Sequence, residues 1–275
     1  MIMKTNFIII LLTVFVFSAC IIREPDPKPD VTKTGKELFQ HTEFSILSLT
    51  NHFDMALRID TYRNTPDSLK ETVRQTYLEN YGVILKKPST WYLKYKKDTL
   101  YTIIADTKSI QSTGASWSVK NSTSNKFTTI TSLSANKWKI EAAESEVGNW
   151  EQNSDLEIRC TDATTPASFG TSNFKIMGNG VLKLTSSRRN VIVNYSITDS
   201  LKRVPNLYLF SGGKVSMSAK ENNNAVNELA TAEYITNTSK YPFVRITNKS
   251  HSQVYENWTS NTFFREDEEY FGIYY

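Results

Sequence analysis

The sequence contains few of the residues, and none of the short motifs, on which active sites and metal centres are usually built. Three histidines and two cysteines occur among 275 residues. His41 and His52 are eleven residues apart, whereas shared metal ligation on a helix favours a spacing of about three or four residues. The serine-hydrolase motif fails at the last position of Gly114–Ser118, and zinc-protease, phosphate-loop and dinucleotide motifs are absent. The sequence therefore predicts no catalytic residue, no metal and no cofactor.

An excess of one charge is also lacking. Lysine and arginine total 32, aspartate and glutamate 28, and the net charge is +4 at pH 7. The basic residues form no polybasic run and no stripe, so nucleic acid is not an expected partner. Long apolar runs are equally scarce, because charged residues interrupt every one after Phe7–Phe17.

Phe7–Phe17 lies within a segment that has the order of an export signal. Lys4 precedes it, and the small residues Ser18 and Ala19 follow it. Its eleven residues would span roughly 16 Å as a helix, about half the hydrocarbon thickness of a bilayer. The run is too short for a permanent transmembrane helix, and residues 1–19 are predicted to be a signal peptide.

The end of this segment, Phe17-Ser18-Ala19-Cys20, resembles the lipobox of bacterial lipoproteins, with Phe17 where that family usually has leucine. The resemblance is confined to these first twenty residues. It implies that Cys20 is acylated, begins the mature chain and attaches it to a membrane. Aspartate is absent directly after Cys20, which in this family argues against retention at the inner membrane. The expected location is the outer membrane, at its periplasmic face or at the cell surface.

The residues after Cys20 divide into a tether and a helical region. Prolines at 25, 27 and 29 favour extended polyproline II, so residues 20–33 are predicted to be a tether. Residues 34–82 are predicted to be a helical hairpin. Its first helix has an apolar stripe, and it breaks at Asn64–Pro66, where Thr65 is expected to cap a second helix. Gly82 is expected to end that helix. The second helix is expected to have an apolar stripe too, and the two stripes are expected to pack on each other and on the sheet. The stripe of the first helix consists of Phe39, Ile46 and Phe53. The stripe of the second consists of Leu69, Val73, Tyr77 and Tyr81.

From residue 83 the apolar pattern changes to a period of two, which is typical of strands. So many short strands without intervening helices predict antiparallel sheet, arranged as a sandwich, a barrel or two β units. The fold class expected is therefore mainly β with an N-terminal helical hairpin (α+β). The polar residues 148–155 are the expected seam if residues 83–275 form two units. The predicted strands are Trp91–Lys96, Thr99–Ala105, Ser116–Lys120, Phe127–Leu133, Lys137–Ala142, Leu156–Cys160, Val181–Thr185, Asn190–Thr198, Leu207–Phe210, Lys214–Ala219, Ala232–Thr236, Phe243–Thr247 and Tyr270–Tyr275.

Strand alternation separates core residues from candidate ligand-binding residues. Trp91, Trp117 and Trp138 each share a strand face with an aliphatic residue two positions on, which predicts a place in the core. Cys160 shares a face with Ile158 and is likewise expected to be a buried core residue. Trp150 and Trp258 have polar neighbours. An indole face beside amide groups suits a sugar ring, so these two are candidates for glycan binding, with closure of a loop onto the core as the alternative.

Two functions remain open on these observations. The leading hypothesis is a non-enzymatic, membrane-anchored binding or interaction module of the cell envelope, with glycans or other envelope proteins as partners. The alternative is a glycosidase-like envelope hydrolase, whose two carboxylates would have to converge in three dimensions. Its candidates are the clusters Glu141/Glu144/Glu146 and Glu266–Glu269, although such runs are usually solvated turns or edges.

Three triplets match a bacterial O-glycosylation pattern of aspartate, then serine or threonine, then an apolar residue. The acceptors would be Ser68, Thr99 and Ser200. Ser68 is expected in the first turn of a helix, Thr99 at a hairpin turn and Ser200 in a polar connection. Glycans are tolerated in such surface segments, although aspartate and serine are favoured in turns and caps anyway.

The prediction that tests the anchor is Cys20→Ala. Without the acceptor thiol, the full chain should accumulate as an unprocessed precursor and should lose all incorporation of labelled fatty acid. Metabolic labelling and detergent phase partitioning measure both effects. Normal labelling and unchanged partitioning of the variant would contradict acylation at Cys20.

Overall fold

The computed structural model describes residues 33–258 except 88, 96, 123–125, 148–149, 163–172, 188–189, 204–209, 223, 236–241, 250 and 257. Several predicted features lie outside the described residues: the signal peptide, Cys20, nearly all of the tether, most of Leu207–Phe210, the acidic run Glu266–Glu269 and the strand Tyr270–Tyr275. The described residues belong to one compact unit.

A single long helix, α1 (Lys33–Arg63), opens the described part of the chain and has 31 residues. At about 1.5 Å per residue it is roughly 46 Å long. All residues from Thr42 to Asp60 are buried except Phe44, which is half-buried. The predicted apolar stripe of α1 is buried as expected, but the opposite face is buried too. No helix among the described residues is both long enough and apolar enough to cross a membrane.

The second helical segment begins with α2 (Asp67–Val73), continues as a π-turn at Arg74–Leu78 and ends with a 3₁₀ turn at Glu79–Tyr81. Gly82 ends it with φ of 71°, a left-handed conformation that suits glycine. Thr65 does not cap this segment, because its hydroxyl donates to the Thr61 carbonyl oxygen of α1 at 2.7 Å.

The predicted stripe of the second helix is only partly a packing surface. Leu69 is 56% exposed, and no residue of α2 is buried. Leu78, which was not part of the predicted stripe, is buried instead of Leu69. The second helix therefore lies at the surface and contacts the core at its C-terminal end.

The described residues after Gly82 form thirteen strands, and all belong to one sheet with strand order β1 to β13. Each of these strands pairs antiparallel with its neighbour in sequence, so the described strands form a simple meander that begins at β1 and ends at β13. The chain is therefore mainly β with few helices, as predicted. The strands are β1 (Val83–Lys87), β2 (Thr90–Tyr95), β3 (Asp98–Ile104), β4 (Ser116–Asn121), β5 (Phe127–Ser134), β6 (Lys137–Val147), β7 (Trp150–Cys160), β8 (Phe174–Thr185), β9 (Asn190–Arg203), β10 (Phe210–Glu221), β11 (Asn224–Ile235), β12 (Phe243–Asn248) and β13 (His251–Tyr255).

The sheet does not divide at residues 148–155, where a seam was expected. β7 begins at Trp150 and pairs with β6 on one side and β8 on the other along its whole length. The polar residues of this stretch are strand residues, and the described strands form one unit. β1 and β13 were not predicted, and a sandwich or barrel arrangement is not confirmed.

The core lies between α1 and the inner face of the sheet. Trp91, Trp117 and Trp138 are at most 1% exposed, so their predicted core positions are confirmed. Cys160 is a buried free thiol at the end of β7, also as predicted. The Trp138 indole N–H donates to the Ile110 carbonyl oxygen at 2.8 Å, which ties the β3–β4 connection to the core.

Gly178 sits at a register shift of β8 against β9 and has φ of 136°. A Cβ at this position would overlap the Asp155 carbonyl oxygen on β7. We expect Gly178→Ala to lower the free energy of unfolding by about 3 kcal/mol, from backbone strain and overpacking together. Denaturant unfolding measures this loss.

Gly114→Ala is the matched control. Gly114 also has a positive φ, of 79°, but the nearest atom to a Cβ there is the Lys108 ammonium at 4.0 Å. Only the backbone strain of about 1 kcal/mol is expected. Equal losses in the two variants would contradict the close approach at Gly178.

Candidate functional site

The two tryptophans predicted to bind glycans are buried. Trp150 is 8% exposed and Trp258 is 4% exposed. Trp150 stacks at a tilt on His41 of α1, with 4.5 Å between ring centroids, and Trp258 packs on Phe39 at 5.4 Å. Neither offers the open indole face that a sugar ring requires. The expectation of exposed platforms was wrong, and closure onto the core is what the structure shows.

The Trp258 indole instead belongs to a buried polar cluster around Glu43 of α1. Its N–H donates to Glu43 Oε2 at 2.8 Å, and the Tyr234 hydroxyl of β11 donates to Glu43 Oε1. Burial raises the pKa of Glu43 to about 7, although the two hydrogen bonds oppose the rise. Desolvation and the neighbouring carboxylate raise the pKa of Tyr234 as well. This cluster joins α1 to β11 and to Trp258, three residues after the end of β13.

A second buried carboxylate on the same side of α1 forms an ion pair. Asp54 accepts two hydrogen bonds of 2.5 Å from the guanidinium of Arg203, at the end of β9. Burial raises the pKa of Asp54, and the charge of Arg203 opposes that rise. Removing one partner of such a pair typically costs about 3–5 kcal/mol, because the other is left as an uncompensated buried charge.

The last turns of α1 hold the connection between β3 and β4. Asp60 accepts hydrogen bonds from the Ser109 hydroxyl at 2.6 Å and from the Ile110 backbone N–H at 3.1 Å. Burial raises the pKa of Asp60, and these donors oppose the rise. Arg63 donates to the Thr107 carbonyl oxygen at 2.9 Å and lies over the Trp117 ring.

Polar residues on the other side of α1 meet a different part of the sheet. Ser45 donates to Gln152 of β7, and the Gln152 amide donates to Ser145 of β6 at 3.1 Å. His52 Nδ1 lies 3.1 Å from the Thr128 hydroxyl of β5. These contacts, too, are buried.

The helical positions of these residues show that the sheet flanks α1 on two sides. At about 100° per residue, Glu43 and Asp54 are separated by roughly 20° around the axis, and so are Ser45 and His52. The first pair faces β9 and β11, and the second faces β5–β7. The two directions differ by roughly 180–200°. The buried polar groups therefore fix the position of α1 against the sheet, and sequence analysis identified none of their partners.

A shallow depression, too small for more than a water-sized molecule, lies beside His52, with Tyr101, Lys126 and Phe127 among its lining residues. Burial lowers the pKa of His52 to about 4, so its ring is neutral at physiological pH. No carboxylate lines this depression, so it lacks the charged partner of a histidine general base. Within the described residues, no group of three or more histidine, cysteine or acidic side chains is placed to hold a metal.

The outer face of the sheet carries a continuous line of polar side chains. These residues are direct cross-strand partners on ten successive strands, β4 to β13. At about 4.8 Å per strand the line is roughly 43 Å long. All are exposed or half-buried. This outer polar row consists of Ser118, Thr129, Glu141, Asp155, Asn179, Ser196, Ser216, Thr231, Thr247 and Ser252.

The outer polar row is rich in hydroxyl groups and has one charged centre. The Lys139 ammonium lies 2.7 Å from Glu141 and 3.2 Å from Asp155. The Thr247 and Ser252 hydroxyls are 3.1 Å apart. Glu141 thus belongs to a surface ion pair, and Glu144 sits with φ of 50° at a bulge of β6. The side chain of Glu146 lies outside the described residues.

The O-glycosylation candidates stay predictions, and two lie where they were expected. Ser68 is exposed in the first turn of α2, and Thr99 is half-buried beside the β2–β3 turn. Ser200 lies within β9, not in a connection, because β9 extends to Arg203.

Comparison with protein families, with curated proteins and with solved structures gives no match for this chain.

Glu43→Gln should remove a pH-dependent part of the stability. The pKa of Glu43 is about 7 in the folded protein against a usual value of 4.5, so the folded state keeps a proton that the unfolded state releases. As pH rises from 4.5 to 7, the wild type should lose roughly 3 kcal/mol of unfolding free energy relative to the variant.

Denaturant unfolding at a series of pH values measures this difference. The lowered pKa of His52 gives the opposite slope, because its stabilising contribution falls as pH falls from 6.5 to 4. It is common to both proteins and cancels in the difference. Parallel pH profiles would contradict a shifted Glu43.

Proposed function

We propose that this chain is a lipoprotein of the cell envelope, held at the outer membrane through lipid on Cys20. Support comes from the order Lys4, apolar run, small residues, Cys20, and from the proline-rich tether that follows. Prolines favour an extended segment, so residues 20–33 would act as a tether between the lipid and the compact unit. The unit would then face the periplasm or the cell exterior.

We further propose that the compact unit is a non-enzymatic binding module and that glycans are its ligand. The observation that carries this proposal is the outer polar row. Hydroxyl, amide and carboxylate groups are the donors and acceptors that sugar hydroxyls pair with. Here they repeat at the strand spacing across ten strands, so an extended polymer could meet several of them at once. The row replaces Trp150 and Trp258 as the proposed glycan surface.

A glycosidase-like function has less support. It requires two carboxyl groups roughly 5–10 Å apart in an accessible cleft. Glu43 and Asp54 are at most 2% exposed, and each is held by hydrogen bonds from the sheet. The run Glu266–Glu269 lies outside the described residues.

We also propose that the sheet has barrel-like curvature around α1. Partners of α1 lie on β5–β7 and, from the opposite direction, on β9 and β11. Such curvature would turn the outer polar row into a convex surface.

A glycan array tests the proposed ligand, with the lipid-bearing full chain in detergent as the probe. The double variant Asp155→Ala/Asn179→Ala removes two adjacent groups of the row and should weaken binding about thirtyfold, since each of the two hydrogen bonds contributes about 1 kcal/mol. The control Asp67→Ala/Gln75→Ala changes exposed side chains of the second helix and should bind as the wild type does. Turnover of an envelope polymer, without stable binding, would favour the hydrolase.

A further inference from the structure

The first strands of the sheet carry a second surface with a different chemistry. Ile84, Tyr92, Thr102, Lys120 and Phe127 are direct cross-strand partners on β1 to β5. Four strand spacings make this line roughly 19 Å long. Ile84 is 43% exposed and Phe127 is 40% exposed. Large apolar side chains therefore stand in solvent on the outer face.

Neighbouring residues enlarge this surface. Ile104 lies two positions from Thr102 on β3 and is 40% exposed. Lys86 and Lys94 are exposed beside Tyr92, and the Lys86 ammonium lies 5.2 Å from the Tyr92 ring centroid. We call the group Ile84, Lys86, Tyr92, Lys94, Thr102, Ile104, Lys120 and Phe127 the basic apolar face.

The lysines of the basic apolar face differ from those in the middle of the sheet. On β6–β8, Lys137, Lys139 and Lys183 each lie within 4 Å of a glutamate. Within the described part of the chain, Lys86, Lys94 and Lys120 have no such acidic neighbour. The face therefore presents three cations that no carboxylate of the described chain neutralises, between apolar groups that nothing described covers.

We propose that the basic apolar face docks on the surface of an anionic phospholipid membrane. Lysine ammonium groups bind the phosphates of the headgroups, and the apolar side chains enter the boundary with the acyl chains. A soluble polyanion would match the charge but would leave Ile84, Ile104 and Phe127 in water. The docking is separate from the lipid on Cys20: the lipid holds the chain at the membrane, and this face sets its orientation.

Lysine footprinting on the full chain tests the docking. The purified chain is incorporated into vesicles of phosphatidylcholine alone or of equal parts phosphatidylcholine and phosphatidylglycerol, and treated with an amine-reactive reagent. Labelling of Lys86, Lys94 and Lys120, read by mass spectrometry, should fall about fivefold on the anionic vesicles only. Lys175, Lys202 and Lys220, exposed on β8–β10, should label equally on both. Equal labelling of the first three lysines on both vesicles would overturn the proposal.

Matched variants separate the face from total charge. Lys86→Glu/Lys94→Glu/Lys120→Glu should lose the preferential association with anionic vesicles. The readout is a dye attached at the exposed position Ser218→Cys. A quencher on the lipid headgroups reduces its fluorescence by an amount that depends on the orientation of the chain. Lys175→Glu/Lys202→Glu/Lys220→Glu has the same net charge and should behave as the wild type. Thermal unfolding confirms that both variants fold. Equal loss in the two variants would show a net-charge effect and overturn the docking.

The double variant Ile104→Ser/Phe127→Ser distinguishes a membrane from a soluble polyanion. It keeps all three lysines and should lose protection on anionic vesicles. If its protection is unchanged, or if a soluble acidic polysaccharide protects the wild-type lysines while vesicles do not, the partner is not a membrane. Failure of the chain to associate with neutral vesicles would count against the lipid on Cys20. The docking would still be tested by the labelling of Lys86, Lys94 and Lys120 on the anionic vesicles.

Discussion

The structure depends on one constraint: a helix with polar side chains on several faces is buried along most of its length. Each buried polar group must find a hydrogen-bond partner, because leaving one unsatisfied costs about 1–3 kcal/mol. Glu43, Asp54 and Asp60 therefore require donors at fixed places, and Tyr234, Arg203 and the β3–β4 connection supply them. A rotation or slide of α1 by one residue would break all three sets at once. The polar contacts thus define one position of the helix, while apolar burial provides most of the stability.

Because of this constraint, the interior and the exterior of the molecule have different roles. The ionisable groups with the largest pKa shifts, such as Glu43 and His52, lie in the interior and serve its architecture. The two surfaces proposed to meet other molecules are both on the outer face of the sheet. That face has two regions, a hydroxyl-rich row and a cationic apolar end. The two regions meet on β4 and β5, where Ser118 and Lys120 are two residues apart. From there the row continues to β13 and the cationic apolar end to β1, because the meander lays the strands in sequence order.

Local patterns in the sequence predicted the strands well and the helix environment poorly. Alternation located eleven of the described strands, because one face of each is apolar wherever it covers α1 or the core. It placed Trp138 and Cys160 correctly for the same reason. Alternation failed to place Trp150 in the core, because the next residue on the inner face of β7, Gln152, is polar. The buried Gln152 side chain bonds to Ser45, which is more than a hundred residues away in the sequence. One signal could have pointed to the burial of α1 on all sides. No lysine occurs between Lys36 and Lys70, whereas a solvated helix face of that length normally carries several.

The order of elements has a consequence for how the chain assembles. The meander is built from neighbours in sequence, so each hairpin can form as soon as its two strands are available. The helix comes first in the chain, yet Asp54 binds Arg203, 149 residues later, and Glu43 binds Trp258, 215 residues later. Contacts of such high sequence separation slow folding. Until the last strands arrive, α1 presents both its apolar stripe and its unpaired carboxylates to the surroundings. The folding chain thus has a vulnerable interval, in which α1 is exposed, that lasts until its last strands are available to pair.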